Sequence, residues 1–253
     1  MDPGLWLACV AALAGTAPLE SGDSLNLRLN LPSFRLEVRA GPERLRDYPV
    51  AVGDSAWPTP RGVFSVTRVE WDPWWVPPAS EWARADTITP PGPRNPMGRV
   101  KLYFQELYFI HGTPDPRSLG RPASHGCIRV SNSAAVELAV LIQEHGSSID
   151  SATLASLAAG RGRTRVFTLD RPVPLEIRYE VAAIEGEHLV VLPDIYRLVD
   201  STRVAPALAA LRAAGFDTTT VFLDSLRALI PANRMRRASI PLTRLVPTAD
   251  FRP

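Results

Sequence analysis

Cysteine is scarce in this 253-residue chain, which holds only Cys9 and Cys127. That excludes a disulfide-stapled scaffold and the tight CxxC spacing of structural zinc sites. Lysine is scarcer still: Lys101 is the single one, and the rest of the 28 basic residues are arginines. A formal net charge of +2 is too small for the electrostatic footprint of a nucleic-acid binder. Long apolar runs are missing too. Leu5 to Ala14 is continuously apolar but falls short of the roughly 20 residues that a bilayer-spanning helix needs.

What is present is a globular composition, 45% hydrophobic and 21% charged, with 25 prolines that favour loops and strands over a helical bundle. The length suits one or two domains. The run from Leu5 to Ala14 fits the apolar segment of a signal peptide, with Ala12-Leu13-Ala14 as a small-residue cleavage site, although Met1 to Gly4 carries no Lys or Arg. Residues 1–17 are therefore expected to be a signal peptide, and the protein to be exported to the periplasm or cell envelope. Once that peptide is removed, Cys127 is the one thiol left.

Period-two alternation marks the strands. Leu25, Leu27, Leu29 and Leu31 interleave with polar residues, as do Phe34, Leu36 and Val38. Tyr48 to Val52, Val63 to Val69, Val100 to Phe104 and Leu107 to Ile110 follow, separated by Gly- and Pro-bearing turns. The expected fold is mainly β with a few helices (α+β), arranged as an antiparallel sandwich or barrel. Helices are expected over 133–143, capped by Ser131 or Asn132, over 150–159 and over 203–214. Val166 to Thr168, Leu175 to Ala182 and Leu189 to Leu192 read as later strands, and 216–230 as strand then helix. From Arg234 onward the chain reads as a solvated basic terminus. Residues 71–98 break the pattern: Trp71, Trp74, Trp75 and Trp82 lie among seven prolines. A stiff aromatic loop of this kind either caps a groove or pins itself to the sheet.

The chemistry concentrates in residues 108–132. His111 ends an apolar strand, and Cys127 follows a glycine and opens a second apolar run. A thiol beside an imidazole suits nucleophilic catalysis, with Cys127 as nucleophile and His111 as base. The base needs a fixed partner on its second ring nitrogen to set its tautomer. His125 shares the side of Cys127 and has a supporting role. Gly126 permits unusual dihedrals, its N–H and that of Cys127 are candidate oxyanion donors, and Ser124 hydrogen-bonds within the loop. Arg129 is suited to a substrate carboxylate. A zinc site of His111, His125 and Cys127 is the competing reading. Papain-like and NlpC-like hydrolases place the cysteine before the histidine, the reverse of the order here.

Ile110-His111-Gly112-Thr113 followed by Ser124-His125-Gly126-Cys127-Ile128-Arg129 resembles the signature of the L,D-transpeptidases, the YkuD-type catalytic domain. Thr59-Pro60-Arg61-Gly62-Val63-Phe64 and Gly92 to Val100 resemble two further segments of that family. Asp72-Pro73-Trp74-Trp75-Val76-Pro77 and Asp194-Ile195-Tyr196 resemble its larger, YcbB-like branch. The resemblance covers residues 24–200, the expected catalytic domain with capping loop 71–98, and leaves 201–253 as an extension of unknown role. It implies a β-rich, sandwich-like domain with a lid over the cleft, and a backbone carbonyl as the partner of the second ring nitrogen of His111, with that of Gly112 the candidate. It also implies a reaction on peptidoglycan stem peptides: the thiol forms a thioester, D-alanine leaves, and an amine resolves the acyl-enzyme as a 3–3 cross-link. Neither cofactor nor metal is implied. Asn132, Trp74 and Trp75 complete the candidate substrate contacts. A lipoprotein acceptor, an L,D-carboxypeptidase and a non-catalytic wall-binding protein are the alternatives, and carbapenem-type inhibitors are expected to acylate Cys127.

Overall fold

The computed structural model describes residues 24–160 and 162–247; the expected signal peptide lies outside them. The described chain is mainly β with four α-helices. Eight strands form one mixed sheet: β1 (Leu25–Asn30), β2 (Arg35–Ala40), β3 (Glu43–Pro49), β5 (Gly62–Trp71), β6 (Val100–Gln105), β7 (Tyr108–Thr113), β9 (Ile128–Ser131) and β10 (Arg165–Arg178). Their spatial order is β3-β2-β1-β10-β5-β6-β7-β9. The short strands β4 (Val52–Gly53) and β8 (Pro122–Ser124) pair with each other.

The alternating leucines of β1 all face inward and are buried, because a strand that buries one face fixes which side chains point there. Alternation does not fix the partner. The sheet is mixed rather than antiparallel: β1 pairs parallel with β10, and β7 parallel with β9. Its eight strands are hydrogen-bonded in one continuous order. Just beyond β3, Ala51 exchanges both backbone hydrogen bonds with Arg129 of β9, each at 2.9 Å. That exchange also splits the strand expected over 48–52. Helix α1 (Asn132–Gly146) packs on β6, β7 and β10 and closes the core, capped by the Ser131 hydroxyl, which accepts the Ala134 N–H. Helix α2 (Ser151–Ala159) is capped by Asp150.

A second, smaller core gathers β11 (Ala182–Glu185), β12 (His188–Val191), β13 (Ala238–Pro241), α3 (Val204–Ala213) and α4 (Leu223–Leu229). Three expectations fail here. Strand β10 stops at Arg178, and β11 starts at Ala182, on the other side of a break. No strand forms over 216–222. The segment from Arg234 is no solvated tail: β13 pairs with β12, and Ile240, Leu242, Leu245 and Val246 are buried. Their apolar spacing was visible in the sequence, but the neighbouring arginines masked it.

Candidate active site

Strand register builds the site. Lys101 of β6, His111 of β7 and Arg129 of β9 are direct cross-strand partners, and Glu70 of β5 extends the row. Two residues before His111 and Arg129, Phe109 and Cys127 lie side by side, joined through the Phe109 backbone N–H. His111, Cys127, Lys101 and Arg129 therefore share one face and line one cavity of about 1000 Å³. Trp57, Trp75, Trp82, Leu107 and His125 form much of its wall.

His111 is 2% exposed. Its Nδ1 lies 2.7 Å from the Gly112 carbonyl oxygen, the partner expected from the sequence. That bond assigns the proton to Nδ1 and leaves Nε2 as the lone-pair nitrogen. Burial drives the imidazole pKa down to about 3, and the charges of Arg129 and Lys101 push the same way against the Gly112 bond. The ring is neutral throughout the physiological range.

Cys127 is partly buried and free. Burial raises its pKa, while the Phe109 backbone N–H and the charges of Arg129 and Lys101 pull it back down. The sulfur points toward the Leu107 carbonyl at 3.7 Å. Among the described residues no hydrogen bond joins it to His111, although thiol and imidazole line the same cavity. Catalytic contacts are often loose in an unliganded site and tighten with substrate.

The loop that presents Cys127 is held by its carbonyls. Ser124 Oγ donates to the Cys127 carbonyl at 2.5 Å, and Thr59 Oγ1 donates to the Gly126 carbonyl at 2.9 Å. Gly126 sits at φ +100, where a Cβ would also lie 2.7 Å from Tyr108 Cε1. Only glycine meets both demands. At Gly112 a Cβ would lie 2.2 Å from Asn132 Oδ1.

Other predicted residues divide. Arg129 lies in the cavity; among the described residues its side chain makes no hydrogen bond or close ion pair, and the Asp115 carboxylate attracts it from farther off. His125 is stacked on Trp82, ring centroids 3.9 Å apart and 6° from parallel, with Trp75 beyond at 6.3 Å. Trp75 thus lines the cavity as expected. Trp74 does not: it is 47% exposed and lies outside the cavity, because neighbouring residues of an extended segment point opposite ways. Asn132 also lies outside. Its Oδ1 accepts the Arg99 N–H at 3.1 Å, tying α1 to the capping loop. That loop is laced by buried Asn95, whose Nδ2 donates to the carbonyls of Pro73, Thr89 and Pro90.

Sequence reasoning missed Lys101, Tyr108 and Thr59 as parts of the site. The one usable signal for Lys101 was its being the only lysine, on the strand paired with that of His111. Among the described residues no group of three or more His, Cys, Asp or Glu is placed to hold a metal ion.

This site lies within a recognised domain. The sequence profile of the L,D-transpeptidase catalytic domain family, YkuD, matches residues 27–167. The chain belongs to the L,D-transpeptidase catalytic domain family. Among curated relatives, a protein of Fuscovulum blasticum provisionally named an L,D-transpeptidase is 40% identical over 96 residues, 37% of this chain and 51% of its own. The ErfK/SrfK protein of Salmonella typhimurium, also provisionally an L,D-transpeptidase, is 38% identical over 113 residues, 41% of this chain and 37% of its own. YkuD of Bacillus licheniformis is 33% identical over 129 residues, 50% of this chain and 62% of its own. The chain thus spans between about a third and three-fifths of these relatives. A solved L,D-transpeptidase in complex with imipenem aligns at 18% identity and a TM-score of 0.40, over 62% of this chain and 59% of that one.

Proposed function

We propose that the protein is a peptidoglycan L,D-transpeptidase using Cys127 as nucleophile and His111 as base. The observation that carries the reading is the pairing of β7 with β9, which turns a neutral imidazole with a fixed tautomer and a lone thiol into one cavity. Both groups rest uncharged, so the resting thiol is shielded from adventitious reaction. The charges of Arg129 and Lys101 act on both groups, disfavouring an imidazolium at His111 and favouring a thiolate at Cys127, and the Arg129 guanidinium suits a substrate carboxylate.

The Cys127 proton then moves to His111 Nε2, and the thiolate attacks the stem-peptide carbonyl that precedes the terminal D-alanine. The N–H groups of Gly126 and Cys127 receive the oxyanion. The tetrahedral intermediate expels D-alanine, whose amine takes the proton from His111. The resulting thioester is attacked by an acceptor amine, which forms the new amide and returns the thiol. The aromatic wall of Trp75, Trp82 and His125 grips the extended donor. No cofactor is assigned a step. Carbapenem-type β-lactams would acylate the same sulfur, and the substrate places the protein in the exported compartment.

The test is incubation of the protein with disaccharide-tetrapeptide, read by mass spectrometry. A dimer lacking one D-alanine and carrying a 3–3 bond is expected. Tripeptide without dimer would replace the reading with an L,D-carboxypeptidase or an enzyme whose acceptor is a lipoprotein. Binding of the stem peptide with no turnover would replace it with a wall-binding protein.

A further inference from the structure

The C-terminal segment is joined to the nucleophile loop by a partly buried chain of hydrogen bonds that the chemistry above does not use. Asp194 is fully buried; its carboxylate pairs with Arg234 of the C-terminal segment at 2.8 Å and accepts the Tyr179 hydroxyl at 2.7 Å. The Tyr179 hydroxyl accepts the Tyr196 N–H at 2.8 Å, and the two phenol rings stack 5.4 Å apart. The Tyr196 hydroxyl then does two things. It donates to the Gly53 carbonyl at 2.8 Å and accepts the Thr59 N–H at 3.2 Å. Thr59, 2% exposed, accepts the Gly53 N–H at 2.8 Å and donates to the Gly126 carbonyl.

The last bond matters because of peptide geometry. A trans peptide is planar, with its C=O and N–H pointing opposite ways. Fixing the Gly126 carbonyl on Thr59 therefore fixes the direction of the Cys127 N–H, on the far side of the same peptide plane. Gly126, at φ +100, has no side chain with which to hold that plane by itself.

We infer that Tyr196 is a positioning residue, and that the C-terminal segment acts through Arg234, Asp194, Tyr179, Tyr196 and Thr59 to aim the Cys127 N–H and sulfur into the cavity. The inference rests on the proposed transpeptidase chemistry for the role of that N–H, but the alignment of the loop is measurable without turnover. It also gives a role to Arg234 and the described residues around it, which lie beyond the reach of the family resemblance. Through Arg234 they anchor the far end of the chain of bonds.

The experiment compares Tyr196→Phe, Thr59→Val and Thr59→Ser in the full chain. Each is read by Cys127 alkylation with iodoacetamide across pH, by thermal unfolding, and by kcat and KM on disaccharide-tetrapeptide. Tyr196→Phe keeps the ring stack and removes only the hydroxyl. Loss of aim is expected to lower kcat by about tenfold with KM within about twofold, since a misdirected oxyanion donor acts on the transition state alone. The midpoint of the alkylation profile is expected to rise by about half a pH unit or more as the sulfur leaves the Phe109 N–H. Thr59→Val should reproduce both effects, and Thr59→Ser, which keeps the hydroxyl, should restore them. Wild-type alkylation profiles in Tyr196→Phe and Thr59→Val, with or without a lower Tm, would overturn the inference. A wild-type protein that alkylates but never turns over would defeat the proposed function and leave the alkylation comparison standing as the test of aim.

Discussion

The two cores of this protein are built by different means. The larger one is a mixed sheet, with buried apolar residues alternating along β1 and β2, and it carries Cys127 and His111. The smaller one is assembled from short strands and helices around Arg203, a fully buried arginine. Its guanidinium donates to the carbonyls of Leu192, Pro231, Asn233, Arg234 and Arg236. One core is specified by pattern over many residues; the other joins a small apolar cluster to one polar hub. They should therefore fail differently: the first degrades by degrees, and the second is lost with one side chain.

Cys127→Ala gives the largest functional effect and separates the cores most cleanly. Acyl transfer should fall to background, more than about a thousandfold, while Tm stays within a few degrees. Turnover and thermal melting measure the two sides. Arg203→Met should show the opposite profile. Several carbonyls lose their donor at about 1 kcal/mol or more each, so the smaller core should lose roughly 3 kcal/mol or more. Hydrogen exchange should show β11, β12 and β13 deprotected while β5, β6 and β7 keep their protection.

Acid should weaken the larger core through His111. Its pKa in the folded state lies near 3, below the unfolded value of 6.5. The neutral ring therefore contributes stability that is present above 6.5 and is lost as pH falls toward 3, at up to about 1.4 kcal/mol per unit. Denaturant melts between pH 7 and 4 should show that slope, and His111→Gln should flatten it. Gly126→Ala places a Cβ against Tyr108 at a positive φ and should cost about 1–3 kcal/mol. Its activity should fall further than its stability, by a comparison of kcat with Tm. Trp82→Ala has the smallest expected effect. Removing its stack on His125 should raise KM up to about tenfold, for a contact of roughly 0.5–1.5 kcal/mol, with kcat little changed.

Much of the larger core was legible because alternation dictates burial. The strands of Leu25 to Asn30 and Arg35 to Ala40 need no partner to be read. His111, Cys127 and the Gly112 carbonyl were legible as candidates because the segments around them resemble the family signature. What escaped was whatever depends on partners distant in sequence. The parallel pairing of β1 with β10 joins residues nearly 150 positions apart. Trp74 and Trp75 are neighbours of one type, and only the course of the loop decides which enters the cavity. Asn132 presents a polar side chain equally suited to substrate or to a backbone N–H, and Arg99 takes it. Arg234 read as the start of a solvated terminus because nothing local announces the Asp194 carboxylate that pairs with it.

Trapping the acyl-enzyme would test the role of Cys127 most directly. The protein would be mixed with disaccharide-tetrapeptide, quenched in acid within seconds, and examined by intact-protein mass spectrometry with peptide mapping. An adduct of the donor minus D-alanine is expected on Cys127, absent in Cys127→Ala. A folded protein whose Cys127 alkylates but takes up no adduct, or an adduct on another residue, would contradict the thioester mechanism.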